Sequence, residues 1–250
     1  MFRLIDSHCH LDAPELNGAG AQLLPDARQQ GIDSFIIPGV RVADWFQLLS
    51  FAEQESGVWA APGLHPAYAG QWSTMAGEQL RELTAHPRVV AIGEIGLDGV
   101  AGPPLERQEE VLRAQLQIAL EADLPVLLHG RKATGRLLEI LREYKIGERI
   151  GGIWHGFSGS MQVAEELVRL ELKIGVGPIL LRESARKLPA AVRMLPAAAL
   201  VLETDLPDMA DQPEVLVTVA EMVAELRGWT LEKTARITTE NVCRLFGKRF

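Results

Sequence analysis

Two histidines separated by one residue, His8 and His10, close the apolar N-terminal run Leu4-Ile5-Asp6-Ser7. Side chains alternate faces along a strand, so both imidazoles point to one side and Cys9 points to the other. Two imidazoles aimed at one point make a metal-binding edge. Similar junctions recur down the chain. His65 stands in Gly63-Leu64-His65-Pro66, Glu94 in Gly93-Glu94-Ile95-Gly96-Leu97-Asp98, His129 in His129-Gly130-Arg131, His155 in His155-Gly156-Phe157-Ser158-Gly159 and Asp205 in Glu203-Thr204-Asp205. Each is expected where a strand gives way to a loop, and five of the six histidines occupy such places.

The donor set narrows the ion. Imidazole and carboxylate without thiolate suit Zn²⁺, Mn²⁺ and related divalent ions, and Mg²⁺ less well because it prefers all-oxygen coordination. The two cysteines, Cys9 and Cys243, form neither a disulfide framework nor a paired-cysteine zinc motif. Four histidines with Glu94 and Asp205 exceed what one catalytic zinc uses, three protein ligands and a water. Two ions are the more economical reading. A pair about 3.5–4 Å apart, bridged by a carboxylate such as Glu94, would generate hydroxide near neutral pH and clamp phosphoryl oxygens during in-line attack.

Strands and helices must alternate to position these groups. Strands are predicted at Leu4 to Ser7, Ser34 to Pro38, Val58 to Pro62, Val89 to Gly93, Pro125 to Leu128, Gly152 to Trp154, Leu172 to Val176 and Leu200 to Glu203, continuously apolar as parallel strands buried on both faces are. Helical spacing of apolar residues predicts helices at Val42 to Glu55, Ala76 to Ala85, Leu105 to Ala122, Gly135 to Tyr144, Met161 to Arg169, Arg182 to Met194 and Glu214 to Arg227. Thr230 is placed to cap a last helix over Leu231 to Phe246. Gly99 to Pro104 and Pro207 to Pro213 read as loops. Eight strand-helix units in 250 residues fit an α/β fold, a single-domain TIM-type (β/α)8 barrel, with its chemistry at the C-terminal ends of the strands.

Composition is that of an ordinary soluble globular protein: 47% of residues are hydrophobic and 23% charged, and 250 residues are enough to bury a large core. No linker or low-complexity tract divides the chain, so one domain over residues 1–250 is expected. No apolar run approaches the ~20 residues of a membrane span, and the N-terminus carries no leader pattern, which makes a cytoplasmic location the expectation. The formal charge of −8 argues against a protein that coats nucleic acid through a broad basic field. It leaves room for an enzyme that meets phosphates at a metal site.

Several blocks in order, Asp6-Ser7-His8-Cys9-His10-Leu11-Asp12, Gly63-Leu64-His65-Pro66, Ala91-Ile92-Gly93-Glu94-Ile95-Gly96-Leu97-Asp98, His155-Gly156-Phe157-Ser158-Gly159-Ser160 and Glu203-Thr204-Asp205-Leu206-Pro207, resemble the signatures of the TatD family of metal-dependent deoxyribonucleases in the amidohydrolase superfamily. The resemblance runs through Glu240-Asn241-Val242-Cys243-Arg244-Leu245-Phe246-Gly247. It implies a divalent-metal centre in which His8, His10, Glu94 and Asp205 hold one ion and Glu94, His129 and His155 the other. His65 is then left to contact substrate, Arg131 is a candidate phosphate clamp, and Asp205 can orient the attacking water or accept its proton. Glu203 is expected to support the site from behind. Two departures fall on the substrate rim: Asp211-Gln212-Pro213-Glu214 lacks the arginine that family members often carry there, and Gly99-Val100-Ala101-Gly102 lacks their aromatic residues.

The implied activity is hydrolysis of phosphodiester bonds in single-stranded or end-frayed DNA, as a nuclease or exonuclease. The alternative on the same scaffold is a hydrolase of an amide, lactone or aminoacyl ester, since the same nucleophile attacks a carbonyl carbon and fold alone does not decide substrate. His86, before Pro87, reads as a surface residue at a helix end. Trp154 is expected to pack between strands and helices, and Phe157 either to pack in the core or to stack on substrate.

Overall fold

The computed structural model describes residues 2–247. In chain order the elements are β1 Leu4–Asp6, α1 Gly20–Gln29, β2 Ile32–Pro38, α2 Trp45–Gln54, β3 Val58–Ala61, α3 Thr74–Thr84, β4 Ile92–Asp98, α4 Leu105–Ala122, β5 Val126–Arg131, α5 Thr134–Glu143, α6 Ile146–Arg149, β6 Gly152–Trp154, α7 Met161–Arg169, β7 Lys173–Val176, α8 Lys187–Met194, β8 Leu200–Leu202, α9 Val215–Arg227 and α10 Leu231–Phe246. The described residues sort into two compact units, one formed by residues 2–37, 155–169 and 173–244, the other by 38–154, 170–172 and 245–247.

The first unit carries β1, most of β2, β7 and β8. β1 pairs parallel with β2 and β7 parallel with β8. At the end of β1, Ser7 N donates to Leu202 O at 2.9 Å and Asp205 N donates to His8 O at 2.9 Å, so the β1 and β8 ends lie side by side. Leu4, Phe35, Ile36, Ile174, Val176 and Val201 are buried. Burying one such side chain contributes roughly 1.5–3 kcal/mol. Thr230 caps α10 as expected, its Oγ accepting from Lys233 N at 3.2 Å.

The second unit carries β3 to β6. β4 and β5 are parallel from Ile92↔Val126 through Asp98↔Arg131, and β5 and β6 are parallel from Val126↔Gly152 to Leu128↔Trp154. Two expectations change here. The fourth strand does not stop at Gly93 but runs on to Asp98, and the fifth runs past Leu128 to Arg131. His129 and Arg131 therefore sit within the paired stretch, and Glu94 in the register irregularity just before it with its N–H donating to Gly39 O at 2.9 Å, rather than on the loops that follow. Gly93 reads as the end of the fourth strand and Gly96 as part of the segment that follows it. Gly96 instead has φ 151°, and a Cβ there would lie 1.9 Å from His129 O, so glycine permits close approach of β5.

Two helices were not anticipated, α1 and the one-turn α6. Asn17 and Gly18 before α1, with Gly20 and Pro25 inside it, hide its periodicity. The helix predicted from Arg182 after the seventh strand begins late: a 3-10 turn forms at Pro178–Leu181 and α8 starts only at Lys187. Trp154 is buried as expected, its ring lying where a Cβ on Gly130 would fall at 2.0 Å. Phe157 is buried too, which resolves its two readings in favour of packing. Among the described residues no helix is long and apolar enough to cross a membrane.

Candidate metal centre

In the first unit the ends of β1 and β8 and the residue after β6 meet. His8 Nε2 lies 3.6 Å and His10 Nε2 3.8 Å from Asp205 Oδ1, and the His8 ring stacks on that of His155 with centroids 4.0 Å apart. One ligand atom from each of His8, His155 and Asp205 can be chosen so that all lie within 4.8 Å of one another. Asp205 reaches this position from a left-handed backbone, φ 51°, a conformation that aspartate tolerates better than most residues.

Asp6 ties the strand ends together behind these ligands. Its Oδ1 accepts from Thr204 N at 3.0 Å and His8 N at 3.3 Å, and its Oδ2 accepts from Thr204 Oγ at 2.6 Å. Burial pushes the Asp6 carboxyl up to about 7, against the lowering effect of those donors. Glu203 is likewise enclosed. Its Oε1 accepts from Gly156 N at 2.5 Å, next to His155, and burial pushes its carboxyl up to about 8. A Cβ on Gly175 would lie 2.0 Å from Glu203 Oε2, so the glycine makes room for the carboxylate. The expectation that Glu203 stands behind the ligands agrees with this contact.

In the second unit the cluster is His65, Glu94 and His129, again with one ligand atom each within 4.8 Å of the others. Glu94 is buried; its Oε1 is 2.7 Å from His129 Nδ1 and 3.6 Å from His65 Nε2. His129 Nε2 is 3.1 Å from Asp98 Oδ2. Both nitrogens of one imidazole thus face carboxylate oxygens, while a neutral ring carries a single N–H. A cation beside the other nitrogen is the arrangement that metal sites use, which makes the donor set a good fit to a divalent ion.

His65, expected at the substrate, is gathered into this cluster. Its Nδ1 accepts from Ala67 N at 3.1 Å, leaving the proton on Nε2. Arg131 NH1 stands 3.9 Å from Asp98 Oδ2, and its side chain is 59% exposed, open to a ligand in solvent. His86 pairs with Glu53 at 2.9 Å on the surface and takes no part.

Two glutamines on the otherwise apolar face of α4 hold the backbone of this cluster. Gln115 accepts from Leu64 N at 2.7 Å and donates to Leu64 O at 3.1 Å, beside His65. Gln108 accepts from Asp98 N at 2.7 Å and donates to Asp98 O at 2.9 Å. Sequence reasoning did not name the glutamines and, though Asp6 and Asp98 stand in its motifs, gave those two no role. The available signal is two buried-face glutamines seven residues apart in an apolar stripe, one of them spaced ten residues after an aspartate. Burial alone would raise the Asp98 carboxyl, but the amides of Val100 and Ala101, with His129, bring it below the usual aspartate value.

The profile of the family described as TatD related DNase matches residues 5–247. The chain belongs to this family. The TatD-family chain is 38% identical over 255 residues to the metal-dependent hydrolase YjjV of Escherichia coli K12, covering 98% of each chain. The crystal structure of that TatD homologue superposes with a TM-score of 0.91 at 37% identity, again over 98% of both. A protein of Erwinia amylovora named 3'-5' ssDNA/RNA exonuclease TatD is 35% identical over 238 residues, with 88% of this chain and 91% of that one covered. The TatD-family chain is a metal-dependent hydrolase with the TIM-type (β/α)8 fold expected from its sequence.

Proposed function

We propose that this TatD-family hydrolase removes nucleotides from an end of single-stranded DNA, with residues 1–250 acting as one domain and two divalent ions, Mg²⁺, Mn²⁺ or Zn²⁺, as cofactors. The observation that carries the reading is the pairing of histidine with buried carboxylate in both clusters, His8, His10 and His155 about Asp205 and His65 and His129 about Glu94. The Erwinia relative with its exonuclease name supports the choice of substrate.

His8, His10, Glu94, His129, His155 and Asp205 would hold the ions. Bound there, the ions would supply hydroxide at neutral pH and positive charge against the phosphoryl oxygens. The remaining work belongs to the protein. The Asp205 carboxylate accepts the proton of the attacking water, its backbone fixed by the bond from its amide to His8 O. His65, with its proton on Nε2, donates to a phosphate oxygen, and the exposed Arg131 guanidinium clamps a phosphate by charge-assisted hydrogen bonds. With a net charge of −8, these contacts rather than a broad basic surface provide the hold on the strand.

End-labelled single-stranded DNA is expected to shorten when a divalent ion is added and to stay intact with a chelator. Gel analysis beside lactone, amide and aminoacyl-ester substrates checks the assignment. Turnover of one of those carbonyl substrates by a protein that leaves DNA intact would overturn it.

A further inference from the structure

We infer that Asp98 is a positioning residue that fixes the tautomer of His129, holding its proton on Nε2 so that Nδ1 turns its lone pair toward Glu94 and the ion expected there. The inference rests on the metal reading above and deepens it by naming the coordinating atom.

The aspartate is held before it meets the histidine. Its Oδ1 accepts from Val100 N at 2.7 Å and Ala101 N at 3.0 Å, and Gln108 grips its backbone amide and carbonyl from α4. Only Oδ2 is left to face His129 Nε2, at 3.1 Å. The carboxylate is buried in its own loop, with the Arg131 guanidinium 3.9 Å from Oδ2 to favour the ionised form. An ionised carboxylate is an acceptor only, so the nitrogen facing it carries the hydrogen. The other nitrogen, 2.7 Å from Glu94 Oε1, faces a carboxylate too, but that carboxylate is the one expected to hold an ion, and a cation between Glu94 and Nδ1 would need the lone pair on Nδ1. Metal-bound histidines are commonly oriented by a carboxylate on the far nitrogen.

Asp98→Asn reverses the polarity of this contact with little change of shape. The two backbone amides require an acceptor at the Oδ1 position, so the side-chain NH₂ must face His129 Nε2. That nitrogen becomes an acceptor, and the proton moves to Nδ1. Zn²⁺ affinity, measured by competition with a chromophoric chelator, is expected to fall by about 10–100-fold in this variant, with an unchanged circular dichroism spectrum. In the Zn²⁺-loaded wild-type protein, long-range ¹H–¹⁵N spectra should show His129 protonated on Nε2 and metal-shifted at Nδ1. This second reading stands even if the variant does not fold. Wild-type protein that binds Zn²⁺ with His129 protonated on Nδ1, or an Asp98→Asn protein of undiminished affinity, overturns the inference and leaves the metal reading standing. Wild-type protein that takes up no Zn²⁺ overturns both.

Discussion

Replacing Glu94 with alanine is expected to lower kcat/KM on single-stranded DNA by about 10³-fold or more, equivalent to about 4 kcal/mol of transition-state stabilisation. Glu94 is buried on β4, and its Oε1 lies 2.7 Å from His129 Nδ1 and 3.6 Å from His65 Nε2. On the proposed reading it would be a ligand to both ions, and its loss would remove charge from each. Glu94→Gln separates this effect from a loss of fold. The amide keeps the volume but not the charge, and in ion-free protein the melting temperature should stay level or rise, because a buried carboxylate without its cation is costly. Steady-state rates with thermal unfolding of the same preparations check both points. A loss below tenfold in Glu94→Ala would remove it from the centre of the chemistry.

The second large effect is expected in stability. Asp6→Ala should cost about 3–5 kcal/mol, read from urea unfolding at fixed pH. The side chain is fully buried and accepts three hydrogen bonds, from His8 N, Thr204 N and Thr204 Oγ, each donor being enclosed as well. Alanine leaves those donors with no replacement. Asp6→Asn should cost much less, about 1 kcal/mol, because the Thr204 hydroxyl can rotate to accept from an amide NH₂ where it now donates. An Asp6→Ala protein within 1 kcal/mol of wild type would show that this tie between the β1 and β8 ends is dispensable.

The candidate metal ligands could be named from the sequence because their chemistry is bound to strand periodicity and to local motifs. Strand alternation predicts a shared face for His8 and His10, which lie past the end of β1 with ring centroids 5.1 Å apart, and α4, α7 and α10 have the bounds that apolar spacing predicts. What was illegible depends on contacts distant in sequence. Gly93 marks a strand end in isolation, yet here it and Gly96 let β4 run against β5, and that contact is invisible without the neighbouring strand. Asp6 looks like a polar residue at a strand end until Thr204, 198 residues away, is brought to it. Gln108 and Gln115 interrupt an apolar stripe, which pattern alone reads as a flaw. Their function becomes visible only when the backbones of Asp98 and Leu64 are in place. His65 was assigned to substrate by elimination within the family pattern, and its place beside Glu94 and His129 adds proximity that sequence spacing does not encode.

The measurement that tests the metal reading most directly is anomalous diffraction from crystals grown with Mn²⁺. The expected map has two peaks, ligated by His8, His10, Glu94, His129, His155 and Asp205, with His129 bound through Nδ1. A map without a peak at those side chains, from protein that degrades single-stranded DNA in the same buffer, would contradict it.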